Sequence, residues 1–417
     1  MVVDCPHSTP AWTESGHIVL RNQNIRNGRL DLSAPSFTDA EHFAQRNRRA
    51  IPTAGDIVIT REAPMGEVCM IPEGLECCLG QRQVLLRPDS QLVNPKFLLY
   101  ALQSPHVQHQ IGWNEGTGST VSNLRIPVLK ALSIPVPERA LQDGVAATLG
   151  AIDDRIDNLR QTSVTLEVIA QALFKSWFVD FDPVRAKAEG REPEGMDAAT
   201  ANLFSSELED SELGGVPWGW KVQSLGSVAG NLREQAKPEL LDPDTPYVGL
   251  EHMPRKSIAL MDRGDAEGLA SGKFWYSPCD ILFGRLRPYF HKVGVAAEKG
   301  ICSTDILVVR PHQPEWFGYC VGQFSSDALI AYATQVSNGA RMPRVGWKDL
   351  AAYKVVTPPH DVAAAFDRLV RPMITRIHQN IEHARTLANV RDTLLPRLIS
   401  GKLRLPDAER EIEATTA

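Results

Sequence analysis

The stretch GDIVITREAPMGEV at residues 55–68 decides the architecture, because a similar stretch, CDILFGRLRPYFHKVGV, returns at residues 279–295. Two further stretches recur in the same order, and the offset drifts slowly from 224 to 223 and then 222 residues. Three ordered matches of this kind predict two copies of a unit of about 220 residues. The other two pairs are CLGQRQVLLRP (78–88) with CSTDILVVRP (302–311), and GSTVSNLRIPVLKALSIPVP (118–137) with GARMPRVGWKDLAAYKVVTPP (339–359).

Each copy begins with short β-branched runs between Gly and Pro residues, which is typical of strands, and ends in a helical pattern. In the first helix, residues at alternating steps of four and three form a heptad seam. Adding 221 to each position gives a second seam, apolar except at Asn380 and Arg391. The first seam is Val145, Leu149, Ile152, Ile156, Leu159, Ser163, Leu166, Ala170, Leu173 and Trp177.

The two seams predict that the helices pack against each other, since each seam has the other as its natural partner. The expected fold class is therefore α+β, with two β-rich domains separated by two long antiparallel helices that form a coiled-coil spacer, in a pseudo-two-fold internal repeat. Pro372 predicts a kink in the second helix or a start near it. The expected domains are 1–137, a helical spacer 138–182, an acidic linker 183–215, 216–358, a second spacer 359–405 and a tail 406–417.

Composition narrows the class of protein. A chain of 417 residues has a prior of two or three domains, and 43% hydrophobic with 23% charged residues excludes a mainly disordered chain. No run of apolar residues is long enough for a membrane span, and no secretory signal is recognisable. Seven cysteines, an odd number without zinc-type spacing, indicate reduced thiols and no structural metal site. We therefore expect a cytoplasmic protein with no membrane partner.

The net charge of −6 argues against a uniformly basic nucleic-acid coat, but the charge is segregated. Residues 183–215 hold 8 acidic and 3 basic side chains, whereas residues 216–358 hold 16 basic and 14 acidic ones. This pattern favours DNA contact by the β-rich parts and protein contact by the helices.

Several motifs resemble the specificity subunit of type I restriction–modification systems, over essentially the whole chain and in the right order. The resemblance implies two target-recognition domains, each of which reads half of a bipartite, asymmetric double-stranded DNA target. It also implies helical regions that set the spacing and recruit two methyltransferase subunits and, through them, restriction subunits. S-adenosylmethionine, ATP and magnesium would serve those other chains, and this chain would hold no cofactor. The motifs are ALFKSWFVDFDPVRAK (172–187), LLPRLISGKL (394–403), PWGWKVQSLGSV (217–228), GDIVITREAPMGEV, and the exits IPVP (134–137) and TPPH (357–360).

One departure from the repeat concerns its opening strand. The second copy opens with Gly219-Trp220-Lys221-Val222, and the first has no equivalent before VVDCPHSTPAW. We therefore expect the edge of the first β-rich part to differ from that of the second.

Catalytic motifs are missing from the sequence. Neither an NPPY-like tetrapeptide nor GxxxxGK[ST] nor GxGxxG occurs, so no catalytic residue is predicted. Asp280, Glu298 and Lys299 give a weak nuclease-like combination, whose simpler explanation is a strand end and a solvated turn. Two alternatives to a DNA-specificity subunit therefore stay open, namely a self-contained endonuclease and a protein adaptor that does not bind DNA.

The candidate DNA-contacting residues are polar or basic side chains in loops of the β-rich parts. Arginine suits guanine and phosphate, and Asn or Gln suits adenine; the simpler alternative is ordinary solvated loops. In the first copy they are Thr60, Arg61, Glu62, Gln81, Arg82, Thr117, Ser119, Thr120, Ser122 and Asn123. In the second copy they are Arg285, Arg287, Tyr289, Ser303, Thr304, Asp305, Asn338, Arg341 and Arg344.

Three aromatic residues end the first helix and are candidate anchors for a methyltransferase subunit, because aromatic side chains are favoured at interfaces. Core packing against the other helix is the alternative for all three. They are Trp177, Phe178 and Phe181.

Overall fold

The computed structural model describes residues 1–113 and 123–416. The chain divides into two compact units, residues 1–156 with 386–417, and residues 157–385. Each of the two longest helices contributes residues to both units. Among the described residues, no helix has the length and apolar character that a membrane span requires.

The described residues of the first unit form nine strands, most of which lie in two sheets. A four-stranded sheet has the order β1-β9-β6-β7 and a three-stranded sheet has the order β5-β2-β8. The strands are β1 Val2–Asp4, β2 His17–Leu20, β3 Ile25–Arg26, β4 Arg29–Leu30, β5 Ser36–Thr38, β6 Ile57–Thr60, β7 Val68–Met70, β8 Cys77–Leu79 and β9 Gln83–Leu86. The helices that begin here are α1 Ala40–Arg46, α2 Pro95–Gln103, α3 Pro105–Gly112, α4 Ile126–Lys130 and the long α5 Arg139–Phe178.

The second unit has a four-stranded sheet with the order β13-β21-β18-β19 and a five-stranded sheet with the order β14-β17-β20-β15-β16. Two further sheets have two strands each, β10-β11 and β12-β22. The strands are β10 Leu208–Ser211, β11 Gly214–Pro217, β12 Lys221–Ser224, β13 Ala229–Leu232, β14 Gln235–Ala236, β15 Pro246–Val248, β16 Gly264–Asp265, β17 Lys273–Tyr276, β18 Ile281–Gly284, β19 Val293–Val295, β20 Gly300–Cys302, β21 Ile306–Pro311 and β22 Lys354–Thr357. The helices are α6 Asp182–Ala188, α7 Ala198–Ala201, α8 Phe317–Phe324, α9 Asp327–Gln335, α10 Trp347–Ala351, α11 His360–Ile399 and, back in the first unit, α12 Leu405–Thr416.

The predicted repeat is confirmed by the register of the strands. In the first copy, β6 pairs antiparallel with β9, so that Thr60 lies opposite Gln83. In the second copy, β18 pairs antiparallel with β21, so that Gly284 lies opposite Ile306. The second sheet repeats as well, since β2 runs parallel to β8 and β15 runs parallel to β20. Equivalent positions of the sequence therefore occupy equivalent positions of the fold.

The predicted packing of the two helix seams against each other is also confirmed, in each unit taken by itself. In the second unit, Asn380 of α11 donates from Nδ2 to Oγ of Ser163 of α5 at 3.2 Å, and both side chains are buried. The rings of Trp177 and Phe366 lie 5.4 Å apart further along the same pair, so the helices run antiparallel there. In the first unit, Arg391 of α11 bonds Asp153 of α5 at 2.8 Å.

Two details of the elements differ from a simple repeat. α11 is one helix from His360 to Ile399, so of the two alternatives for Pro372 a helix start is excluded and a kink stays a prediction. The proline side chain faces solvent, where water can satisfy the carbonyl that loses its donor. At the predicted edge, β12 pairs with β22 in the second copy, whereas residues 133–136 form no strand in the part of the first copy that is described. There the backbone of Ser133 bonds the side chain of Gln110 instead.

Candidate nucleic-acid interface

A repeated ion pair braces the strands that lead into the candidate loops. Asp56, just before β6, accepts from Nε and Nη2 of Arg87 at 2.8 and 2.6 Å. Asp280, just before β18, accepts from the same two atoms of Arg310 at 2.6 and 2.8 Å. Both carboxylates are buried, and a planar fork on a buried carboxylate fixes direction as well as distance. The loops that follow the two strands therefore start from equivalent, rigid positions.

Within each copy, an equivalent backbone hydrogen bond joins the loop after one strand to the residue before the next strand of the pair. The amide of Arg61 donates to the carbonyl of Arg82 at 2.8 Å, and the amide of Arg285 donates to the carbonyl of Asp305 at 2.9 Å. Arg82 and Asp305 thus hold the same position of the repeat, directly before β9 and β21. This position carries a positive charge in one copy and a negative charge in the other.

In the first copy, the structure brings the predicted residues into one polar network centred on Glu62. Its carboxylate accepts from Nδ2 of Asn123 at 2.5 Å and pairs with Nε of Arg82 at 3.1 Å. The side chain of Arg82 is 55% exposed and that of Glu62 only 18%. Glu62 therefore holds the inner edge of the guanidinium while the outer edge faces solvent.

Three other predicted residues of the first copy are used to build the loops. Thr60 is fully buried, and its hydroxyl donates to the carbonyl of Pro64 at 2.6 Å. Arg61 bonds Asp4 at 2.9 Å, the carbonyl of Leu124 at 3.0 Å and Asn123 at 3.2 Å. Gln81 donates to the carbonyl of His7 and to Thr9. Thr60 is the last residue of β6, whose side chains are all buried, and Arg61, directly after it, has a side chain only 11% exposed. These three residues therefore position the others. Thr117, Ser119, Thr120 and Ser122 lie outside the described residues.

In the second copy, an arginine–carboxylate pair occupies the corresponding place. Arg344 donates from Nε and Nη2 to Asp305 at 2.8 and 3.3 Å. Arg285 donates from Nε to the carbonyl of Val345 at 3.1 Å, as Arg61 does to Leu124 in the first copy. Backbone bonds join Asn338 to Arg344, so the segment around residue 341 lies beside the loop that follows β18. The predicted clusters of this copy are therefore brought together.

The remaining predicted residues of the second copy line the same loops. Arg287 donates from Nη2 to the carbonyl of Arg341 at 3.2 Å, and Tyr289 is 49% exposed. Ser303 accepts at Oγ from the amide of Asp305, a local turn contact, whereas Thr304, Asn338 and Arg341 face solvent.

The structure adds two basic residues that the repeat comparison does not include. Arg255 and Lys256 are exposed, and the amide of Lys256 donates to the carbonyl of His291, at the end of the loop that carries Tyr289. The adjacent basic residues after Met253-Pro254 are visible in the sequence, but their distance from residue 289 along the chain hides the contact. The second copy therefore has a more basic loop surface than the candidate set indicated.

The three aromatic residues at the end of α5 are core residues. Trp177, Phe178 and Phe181 are 4%, 4% and 7% exposed, and the ring of Phe178 lies 4.8 Å from that of Phe366. The structure therefore favours the core-packing alternative for all three, since residues of α11 and of the second β-rich part cover them.

The weak nuclease combination does not form a site. Asp280 is committed to Arg310, Glu298 pairs with Arg263 and Arg385, and Nζ of Lys299 lies 5.0 Å from the ring centre of Trp275. In the described part of the chain, no group of three or more His, Cys, Asp or Glu residues is placed to hold a metal ion.

Known proteins resemble this chain along most of its length. Residues 13–168 match the family described as type I restriction modification DNA specificity domain. The type I restriction enzyme MjaIX specificity subunit of Methanocaldococcus jannaschii is 25% identical over 85% of this chain and 78% of its own. The HindI specificity subunit of Haemophilus influenzae is 22% identical over 84% and 86%. The crystal structure of a type I S subunit from M. genitalium covers 93% of both chains at 17% identity, with a TM-score of 0.48. The matched domain and these relatives thus make the chain similar to type I restriction enzyme specificity subunits over most of its length.

Proposed function

We propose that this chain reads a bipartite DNA sequence, with residues 1–137 contacting one half and residues 216–358 the other. The observation that carries the proposal is the pair of equivalent loop clusters, built on the same strands with the same backbone bonds but presenting different side chains. Base edges in the major groove differ in their donors and acceptors, so a different side chain at one position reads a different base.

The two half-sites are then expected to differ. Arg82 offers the outer edge of its guanidinium, which suits O6 and N7 of guanine. Asp305 holds the same position in the other copy and, as a carboxylate, repels phosphate and guanine acceptors unless Arg344 intervenes. A palindromic target would need the same chemistry at both positions, so an asymmetric target follows.

The long helices α5 and α11 are proposed to set the gap between the half-sites. Each has 40 residues, about 60 Å at 1.5 Å per residue, and each contributes to both units. Their packing is specified by a polar pair, Asn380 with Ser163, which favours one register of the seam.

The methyltransferase subunits, for which two copies are expected, are proposed to bind an exposed apolar face of α5. Val164 and Val168, four residues apart on α5, are 50% and 58% exposed, with Ile169 beside them; Val179, 55% exposed, directly follows the end of the helix. The aromatic residues Trp177, Phe178 and Phe181 are buried and offer no such surface. Substitution of Val168 by Asp should prevent copurification with the methyltransferase subunit, whereas Thr165→Asp, also exposed but polar in the parent chain, should leave it intact.

Catalysis is proposed to take place on the partner chains, with methyl transfer from S-adenosylmethionine on the methyltransferase subunits and ATP- and magnesium-dependent cleavage on restriction subunits bound through them. This chain contributes the choice of sequence. The dispersed positions of Asp280, Glu298 and Lys299 support this division of labour over the endonuclease alternative.

The test is selection of duplexes from a random-sequence pool by the purified full-length chain with its methyltransferase subunits. Enrichment of two short, different motifs at a fixed separation supports the proposal. Retention of duplexes without any enriched sequence would contradict it, and failure to bind DNA would favour the adaptor. Magnesium-dependent cutting by the chain alone, abolished by Asp280→Ala, would favour the endonuclease.

A further inference from the structure

A rigid, projecting turn in the second recognition region carries an exposed aromatic side chain. This turn, here named the tip, consists of residues 287–291, Arg-Pro-Tyr-Phe-His. We propose that Tyr289 at this tip inserts at a base step of the half-site read by residues 216–358 and kinks the duplex there. This inference rests on the proposed DNA-reading function and deepens it.

The backbone of the tip is held in a conformation that its residues do not favour. Arg287 and His291 have φ values of 50° and 51°, in the left-handed region that non-glycine residues rarely adopt. Such a conformation is unfavourable for these residues and persists only where the surroundings enforce it. Between them, Pro288–Phe290 forms one turn of 3₁₀ helix.

Hydrogen bonds fix both ends of the tip. The amide of Arg287 donates to the carbonyl of Pro343 at 2.7 Å, and the amide of Lys256 donates to the carbonyl of His291 at 2.9 Å. The buried His291 ring bonds the carbonyl of Ser325 through Nε2 at 2.9 Å. Three separate segments thus hold a turn of five residues.

The two adjacent aromatic residues of the tip are used differently. The guanidinium carbon of Arg255 lies 4.3 Å from the ring centre of Phe290, which anchors that ring by a cation–π contact. Tyr289 meets Phe290 edge to face at 4.8 Å and is otherwise 49% exposed. A large ring is therefore presented to solvent on a support that leaves it little freedom, which lowers the entropy lost on binding.

The charges around the tip suit a nucleic-acid backbone. Arg255, Lys256 and Arg341 are exposed near its ends, so phosphates on either side of the inserted ring would meet positive charge. One carboxylate, Asp327, faces the base of the tip and pairs with Lys256 and with Nδ1 of His291, both at 3.3 Å.

The equivalent turn of the first β-rich part enters in a similar conformation but lacks the ring, and its Ala63–Pro64 peptide bond is cis. Ala63 has a φ of 47°, as Arg287 has 50°, and each is followed by a proline. The residue at the position of Tyr289 is Met65, which is half-buried and packs against the apolar core of that copy. The projecting ring is therefore a feature of one copy only, and the kink is expected in one half-site only.

The chemistry follows from how bases stack. Side chains wedged between base pairs unstack one step and bend the duplex, and pyrimidine–purine steps yield most easily. An aromatic ring can stack on any base, so the tip would contribute to affinity and to step preference without a hydrogen bond to a base edge.

The experiment uses the full-length chain with its methyltransferase subunits and the duplex enriched from a random pool, with 2-aminopurine placed in turn at each position of both half-sites. We expect the fluorescence to rise at one step of the half-site of residues 216–358 with the parent chain and with Tyr289→Phe, which keeps the ring. Tyr289→Ala should remove that rise and weaken binding about 5- to 150-fold. Met65→Ala is the matched control and should leave the signal unchanged, and melting curves verify that each variant is folded.

The outcomes separate the inference from the function on which it rests. If the parent chain selects and binds a bipartite sequence but no step responds, or if Tyr289→Ala keeps the response, the inference is overturned and the proposed function stands. If the parent chain enriches no sequence at all, the proposed function fails and the inference falls with it.

Discussion

Replacement of Asp153 by asparagine should destabilise the first unit, because its carboxylate neutralises a buried cluster of donors. Asp153 accepts from the hydroxyl of Tyr100 at 2.6 Å, from Arg391 at 2.8 Å and from Arg29 at 3.1 Å. The side chains of Asp153 and Arg391 are only 19% and 13% exposed. These contacts join the first β-rich part to both long helices.

The magnitude follows from the loss of one partner of a buried ion pair, which leaves the other charge uncompensated. Such a loss costs about 3–5 kcal/mol. Asparagine keeps the bond from Tyr100, so the lower end, about 3 kcal/mol, is expected. For a unit of this size, each kcal/mol lowers Tm by about 2–4 °C, which gives a fall of about 6–12 °C.

The pH dependence gives a second measure of the same pair. Burial would raise the pKa of Asp153, but the hydrogen bonds from Tyr100 and Arg391 and the charges of Arg391 and Arg29 hold that pKa below its ordinary value. A carboxyl with a depressed pKa in the folded state stabilises above its unfolded pKa of about 3.9, and this contribution is lost as pH falls through the depressed value. The difference in Tm between the parent and Asp153→Asn should therefore be full at neutral pH and narrow below about pH 4.

The assay is thermal unfolding of the full-length chain by calorimetry, with Asp154→Asn as the matched control. Asp154 is the next residue of α5; its side chain is 72% exposed, and Oδ1 lies 3.7 Å from Nζ of Lys96. Loss of this exposed charge should therefore change Tm little. In a double-mutant cycle, Arg391→Met should cost much less in the Asp153→Asn background than alone. Equal Tm values for Asp153→Asn and Asp154→Asn, or additive effects in the cycle, would refute the reasoning.

Three further predictions address recognition, register and pH. Arg82→Ala should lose about 1–3 kcal/mol of discrimination at one position of one half-site, measured with singly substituted duplexes; a uniform loss over all sequences would indicate a phosphate contact instead. Asn380→Leu combined with Ser163→Ala should keep or raise Tm while allowing a wider range of gaps between half-sites, because a buried polar pair specifies register more than stability; an unchanged gap preference would count against this role. Burial raises the pKa of Glu167 above its ordinary value, so its contribution to stability is present below about pH 4.3 and is lost as pH rises through the raised pKa. The Tm of Glu167→Gln should therefore rise relative to that of the parent chain between pH 4 and 8. A Tm difference that does not change with pH would disprove this prediction.

The duplicated fold was predictable because the residues that recur in the sequence are those that form and brace the buried strands. Asp56 and Arg87 recur as Asp280 and Arg310, and apolar runs with fixed spacing from these pairs can form the same sheet twice. The helix seams were predictable for the same reason, since the spacing of apolar residues follows directly from helical geometry.

The sites were less predictable, because loop contacts depend on residues far apart in the chain. Arg61 and Arg82 have the same residue type in adjacent loops, yet one is enclosed by Asp4 and Leu124 and the other faces solvent. Trp177 illustrates the converse, since an aromatic side chain at the end of an amphipathic helix has the same sequence signal whether it packs in the core or awaits a partner. Which alternative holds is decided by tertiary packing.

The most direct test of the central claim is methylome sequencing of a host that expresses this chain with its methyltransferase and restriction subunits. A reader made of two unlike copies predicts modification at one bipartite motif whose halves differ and whose gap is constant, and exchange of residues 1–137 for those of a relative should change one half only. A palindromic motif, a single uninterrupted motif, or an exchange that alters both halves would contradict the account.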